Sequence, residues 1–165
     1  MIGIFPDRMV TRQRLLIGTI IVAATSLLNL IPLEFGILGS PWPVGLLWAI
    51  CGWSGLGPNL TTATLLFFLG LWVDILTAAT LGTWAFIALS THAATLVTAQ
   101  YLGTNGLGRI GSIAVSGTIM LLIMTVFQVW RGSNFFFVGT ILTIVSAIGL
   151  YHYVGFIFEL SEDEL

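Results

Sequence analysis

Lysine is absent from this 165-residue chain, which leaves five arginines as its basic side chains. With seven acidic residues added, charged side chains make up 7% of the sequence, against an apolar share of 57%. A water-soluble domain with that balance would have to expose large apolar patches, so the composition predicts an integral membrane protein of the all-α class. A spanning helix needs about 20 residues, which allows five or six spans and short loops but no soluble catalytic domain. Residues 1–165 therefore read as a single transmembrane domain, with 1–14 as a cytoplasmic amino-terminal arm and 159–165 as an acidic cytoplasmic tail.

Cysteine is nearly absent as well. Cys51 stands alone in an apolar stretch, which excludes an intrachain disulfide and a cysteine metal cluster and points to a small core residue. No local cluster of serine, histidine and carboxylate occurs, and no glycine-rich loop runs into a lysine, so hydrolytic and phosphate-binding chemistry have no motif here. His92 and His152 lack a second histidine or a carboxylate three or four residues away, the spacing that sets two ligands on one helix face. No metal, no cofactor, no nucleic-acid partner and no enzymatic turnover are expected, and each histidine is expected to make an interhelical hydrogen bond.

What the chain does have is a series of apolar runs separated by helix-breaking clusters. After Arg8, Arg12 and Arg14, an uncharged stretch runs from Leu15 to Ile31; it is longer than a signal-peptide core and reads as a retained helix whose arginines hold the amino terminus inside. The segment with Glu34, Pro41, Trp42 and Pro43 reads as an outer loop. Val44 to Gly57 is short for a full span and ends in Gly55-Leu56-Gly57-Pro58-Asn59, a breaker cluster. Further helices are expected from about Leu60 to Ala78, Gly82 to Leu102, Ile110 to Trp130 and Phe135 to Phe158.

Arg109 in the turn before the fifth helix favours the inner side, which makes the second segment a crossing one: six spans, both termini cytoplasmic, with Arg131 alone opposing. A re-entrant second segment would give five spans instead.

Asp74 stands out within Leu65-Leu66-Phe67-Phe68-Leu69-Gly70-Leu71-Trp72-Val73-Asp74-Ile75-Leu76. A charge in hydrocarbon costs about 2.5 to 3.5 kcal/mol, so such a residue faces protein, pairs, or is neutral. Gly70 lies four residues earlier on the same helix face, where it lets a neighbouring backbone approach while the carboxylate reaches across. Gly82 opens the next helix after a short corner, so two tightly packed antiparallel helices are expected with Asp74 at their junction. Arg131 is the one arginine on the same side and the expected partner of Asp74; a structural clamp is the preferred reading over a proton relay. Ser90, Ala94 and Thr98, and Gly108, Ser112 and Ser116, recur every four residues and mark packing faces, with homo-oligomerisation as the lesser use.

The order Pro43, Trp53, Pro58, Gly70, Asp74, Leu81-Gly82 on a continuous apolar background resembles the bacterial rod shape-determining protein MreD family. Its members share a proline ahead of an aromatic-containing second helix, a proline after it, and a Gly-x-x-x-Asp helix leading to Leu-Gly. The resemblance covers about a quarter of the chain by motif and the rest by hydropathy. The lack of lysine and the ending Ser161-Glu162-Asp163-Glu164 depart from a family that is usually more basic in its loops.

The resemblance implies a non-enzymatic inner-membrane component of the cell-wall elongation complex. It would bind the single-pass protein MreC and, through it, MreB, RodA and an elongation-specific transpeptidase. It also implies a six-helix bundle similar to the substrate-binding components of energy-coupling-factor vitamin transporters, and a component of that kind is the alternative function.

Overall fold

The computed structural model describes residues 6–27, 44–102, 108–131 and 137–158. These form six α-helices: α1 (Pro6–Ser26), α2 (Val44–Trp53), α3 (Leu60–Leu76), α4 (Thr83–Leu102), α5 (Gly108–Arg131) and α6 (Phe137–Phe158). A single 3-10 turn, Ser54–Leu56, extends α2. No strand occurs among the described residues. The expected helix limits hold within about two residues for α3 to α6.

The first helix departs from its expected limits. Instead of an arm up to residue 14 followed by a helix from Leu15, α1 is helical from Pro6 and ends at Ser26. Proline suits the first helical position because the N–H it lacks has no intrahelical partner there, and arginine is a good helix former. Hydropathy marks where the apolar run begins, not where the helix does.

Neighbouring helices alternate in direction. A Cβ placed on Gly45 would meet Val22 and Thr25 of α1, and one on Gly18 would lie 3.3 Å from the Trp53 ring, so α2 runs antiparallel alongside α1. Gly70 faces Ala85 across α3 and α4, and the Phe86 and Phe127 rings lie 6.3 Å apart between the start of α4 and the end of α5. Gly117 of α5 meets Ile144 of α6 and Leu47 of α2. The Gly18 side of α1 also touches Phe158 at the end of α6, which sets the amino-terminal half of α1 and the carboxyl end of α6 at one end of the bundle. This end also holds the turn from α2 into α3. The opposite end carries the joint of α3 and α4.

The short second helix is the centre of the fold. Every residue from Gly45 to Trp53 is buried, and α2 packs against all five other helices. With its 3-10 extension it is roughly 21 Å long, less than a hydrocarbon core of about 30 Å. The other five helices enclose it. The Trp48 indole donates to the Ala147 carbonyl of α6 at 3.0 Å, and Cys51 lies 3.5 Å from the Ser112 hydroxyl of α5, so α2 is tied laterally by polar contacts as well as packing.

Around this core the outer surface is apolar. Leu16, Ile20, Phe68, Ile75, Phe86, Leu122, Val126 and Val145 are exposed along five different helices, and Trp130 is 81% exposed. Among the described residues, Ile110–Phe127 is the one helical segment long and apolar enough by itself to cross a bilayer. Gln13–Ser26, Val44–Leu56, Leu60–Leu76 and Ile144–Gly155 are shorter apolar helical stretches.

Candidate functional site

Asp74 sits in the last turn of α3 with 1% of its surface exposed, and it joins two helices by two different groups. Its backbone carbonyl closes α3. The Ala79 N–H donates to it at 3.0 Å, and the Ala78 N–H donates to the Ile75 carbonyl at 3.5 Å, with Ala78 at a φ of 50°. This is the paired-bond helix ending in which a left-handed residue turns the chain and satisfies the last carbonyls.

Its carboxylate opens α4. The Gly82 N–H donates to Oδ2 and the Trp84 N–H to Oδ1, each at 2.8 Å. The first N–H groups of a helix have no partner within it and are usually capped by a Ser, Thr, Asp or Asn side chain at the cap position. Here that position is Gly82, which has no side chain to offer, and Asp74 supplies the cap from the preceding helix. An acidic side chain at this point also complements the positive end of the helix dipole.

Two glycines make the reach possible. At Gly82, φ is 93°, a conformation glycine adopts without a side-chain clash. At Gly70, an added Cβ would stand 2.5 Å from the Ala85 nitrogen and 2.9 Å from the Trp84 carbonyl carbon, so the α4 backbone rests directly on the α3 backbone. A short hydroxyl contact, Thr80 to Thr83 at 2.6 Å, bridges the corner on its exposed side. Together these fix the corner between residues 76 and 83.

The other residues singled out in the sequence fall in several places. Trp53 is fully buried, with its ring against Gly18, and its indole nitrogen makes no hydrogen bond. Pro58 is exposed in the turn between α2 and α3. Pro43 lies outside the described residues, as does the side chain of Arg131 at the end of α5. The expected Asp74–Arg131 pair therefore lies outside the described residues; the described partners of the carboxylate are the Gly82 and Trp84 N–H groups.

The histidines fall in two different settings. Buried His92, 4% exposed, meets the backbone of Ile50 on α2, the interhelical contact expected of it, although neither ring nitrogen reaches ideal hydrogen-bond geometry there. His152 is exposed and stands edge-on to Tyr153, with ring centroids 5.4 Å apart. Among the described residues no group of three His, Cys, Asp or Glu side chains comes together as a metal ion would need.

Asn59, in the breaker cluster before α3, has a further role: its side chain accepts from the Thr61 N–H at 2.9 Å and caps α3. An asparagine directly before an apolar helical run is the signal that marks such a cap.

A carboxylate so engaged works as a clamp. Both of its oxygens are bound to backbone donors of the next helix, and the residue is shielded from the bundle exterior. No protein-family model, curated protein or solved structure matches this chain.

Proposed function

We propose that this chain is an integral membrane bundle whose work is lateral binding: it holds a single-pass membrane protein against its helix faces and carries out no reaction of its own. Within that class, the motif order around Asp74 supports the particular role of MreD in the cell-wall elongation complex. MreC would be the direct partner, and MreB, RodA and a transpeptidase would be reached through it. The site is the inner membrane, with both termini in the cytoplasm, in keeping with Arg8, Arg12, Arg14 and Arg109 on one side.

The observation that carries the reading is the apolar exterior. Large hydrophobic side chains are exposed on α1, α3, α4, α5 and α6, while the polar Asp74, His92, Thr62 and Ser116 lie inside. Soluble monomers rarely expose contiguous apolar surface on this scale. In lipid, such faces associate with another helix by close packing and a few polar bonds, without a large soluble interface. The preference for a clamp over a proton relay at Asp74 rests on its two backbone donors, the Gly82 and Trp84 N–H groups, which occupy both carboxylate oxygens.

Photo-cross-linkers placed singly at Phe68, Leu122, Val126 and Val145 in native membranes test this directly. Capture of MreC from one helix face and not from the others is expected. A scan that captured no protein of the elongation machinery from any face would contradict the proposal.

A further inference from the structure

His152 is exposed on α6, within the apolar stretch Ile144–Gly155. Its depth follows from α1. Arg14 is the last charge before the apolar run of α1, Gly18 lies four residues further on, and a Cβ on Gly18 would stand 3.2 Å from the Phe158 ring. His152 precedes Phe158 by six residues on a helix that runs the opposite way. At about 1.5 Å per residue, Arg14 and His152 are roughly 15 Å apart along the bundle, about half of a hydrocarbon core of about 30 Å. Helical side chains lean toward the amino-terminal end of their helix, so the imidazole leans away from the boundary near Arg14 and cannot readily reach back to it. Ionisable groups at such a depth face protein or pair; they do not stand in acyl chains.

The surface around His152 is shaped for a close neighbour. Gly149 is exposed, and a Cβ placed on it would meet nothing within 4 Å, so the helix has a notch there. By helical geometry Val145 and His152 fall on one side of Gly149, and Ser146 and Tyr153 on the other. All four are exposed, Tyr153 by 74%. The His152 and Tyr153 rings meet edge-on, with centroids 5.4 Å apart, and so stand side by side on this face.

These two flanks are chemically complementary. A phenol donates a hydrogen bond, and a neutral imidazole has a bare nitrogen to accept one. Two copies of the chain inserted the same way in a membrane can share a two-fold axis along the membrane normal, and across such an axis each flank meets the opposite flank of the other copy. We propose that α6 is a self-association face: Gly149 lies on Gly149 of a second copy, and each His152 accepts from Tyr153 of the partner subunit, giving two equivalent bonds near the middle of the bilayer. A small residue at the crossing point with polar bonds beside it is how helices associate in lipid. The inference rests on the membrane reading but not on the identity of any other partner.

The test uses the full chain with Cys51→Ala in native membranes. Gly149→Cys in that background should oxidise to a disulfide-linked homodimer, because a disulfide needs the two Cβ atoms about 4 Å apart, while Phe68→Cys on α3 and Leu122→Cys on α5 should stay monomeric. In vesicles, energy transfer between labelled copies, followed as lipid is added, should show His152→Leu and Tyr153→Phe each weakening association roughly 10-fold. The double variant should associate no more weakly than His152→Leu alone, and the monomer's Tm in detergent should be unchanged in all three. A chain that resists alkaline carbonate extraction yet forms no disulfide at Gly149, or a photo-cross-linker at Gly149 that captures a different protein, would overturn the self-association face and leave lateral binding standing. A chain released by carbonate would overturn the membrane reading and this proposal together.

Discussion

Asp74 and Gly82 share one helix cap: the glycine occupies the cap position of α4, and the carboxylate that position lacks arrives from α3, accepting the Gly82 N–H at 2.8 Å. The same aspartate accepts the closing bond of α3 through its carbonyl. One residue thus ends a helix and begins the next. The α3–α4 corner is thereby held by backbone bonds from both sides of one residue.

Replacing Asp74 with Leu removes both carboxylate bonds, one of them the buried bond from the Trp84 N–H. We expect a loss of about 2 to 4 kcal/mol, with Asp74→Asn losing about half as much because one acceptor oxygen remains. Thermal unfolding in detergent checks the order Asp, Asn, Leu. Combining Asp74→Leu with Arg131→Gln tests the ion pair expected from the sequence: a double variant that loses less than the sum of the two singles shows the pair, and losses additive within about 0.5 kcal/mol reject it.

Gly70→Ala should be among the most damaging small substitutions in the chain. The atoms its Cβ would meet belong to the backbone of α4 and cannot turn aside, so a cost of about 1 to 3 kcal/mol is expected. Gly149→Ala in α6 is the control, with nothing within 4 Å of the added Cβ; there the better helix propensity of alanine should raise stability slightly. Equal effects at the two sites would show that the close approach of α3 and α4 is not tight.

Opposite signs are expected at the two ends of the corner. Ala78 holds a φ of 50°, so Ala78→Gly should relieve strain and raise stability by about 1 kcal/mol. Gly82 holds a φ of 93° with open space around it, so Gly82→Ala should cost about 1 to 2 kcal/mol through the backbone alone. Differential scanning fluorimetry of the two single variants resolves the signs.

Much of this corner was legible in the sequence. Gly70 and Asp74 share a helix face by their spacing, and a breaker cluster before Gly82 places the turn, so the junction of two close helices could be read directly. The two backbone donors of Asp74 could not, because N–H groups leave no mark in a sequence. The opposite charge that a lone carboxylate calls for, Arg131, has its side chain outside the described residues. The signal available was indirect: a glycine where a capping side chain is usual. For His92 the residue type gave the need for an interhelical partner, while the identity of that partner, the Ile50 backbone of α2, is set by packing. Helix limits were readable where Gly, Pro and Asn punctuate the chain, and misread at Pro6, where arginines concealed helical continuity.

The most direct measurement for lateral binding is the composition of the particle purified with the tagged full chain from its native membranes in a mild detergent. Lateral binding in the MreD role predicts near-stoichiometric MreC in that particle, retained by the parent chain and reduced in Asp74→Leu. A chain recovered without any single-pass partner, carrying instead one stoichiometric small molecule, would contradict it.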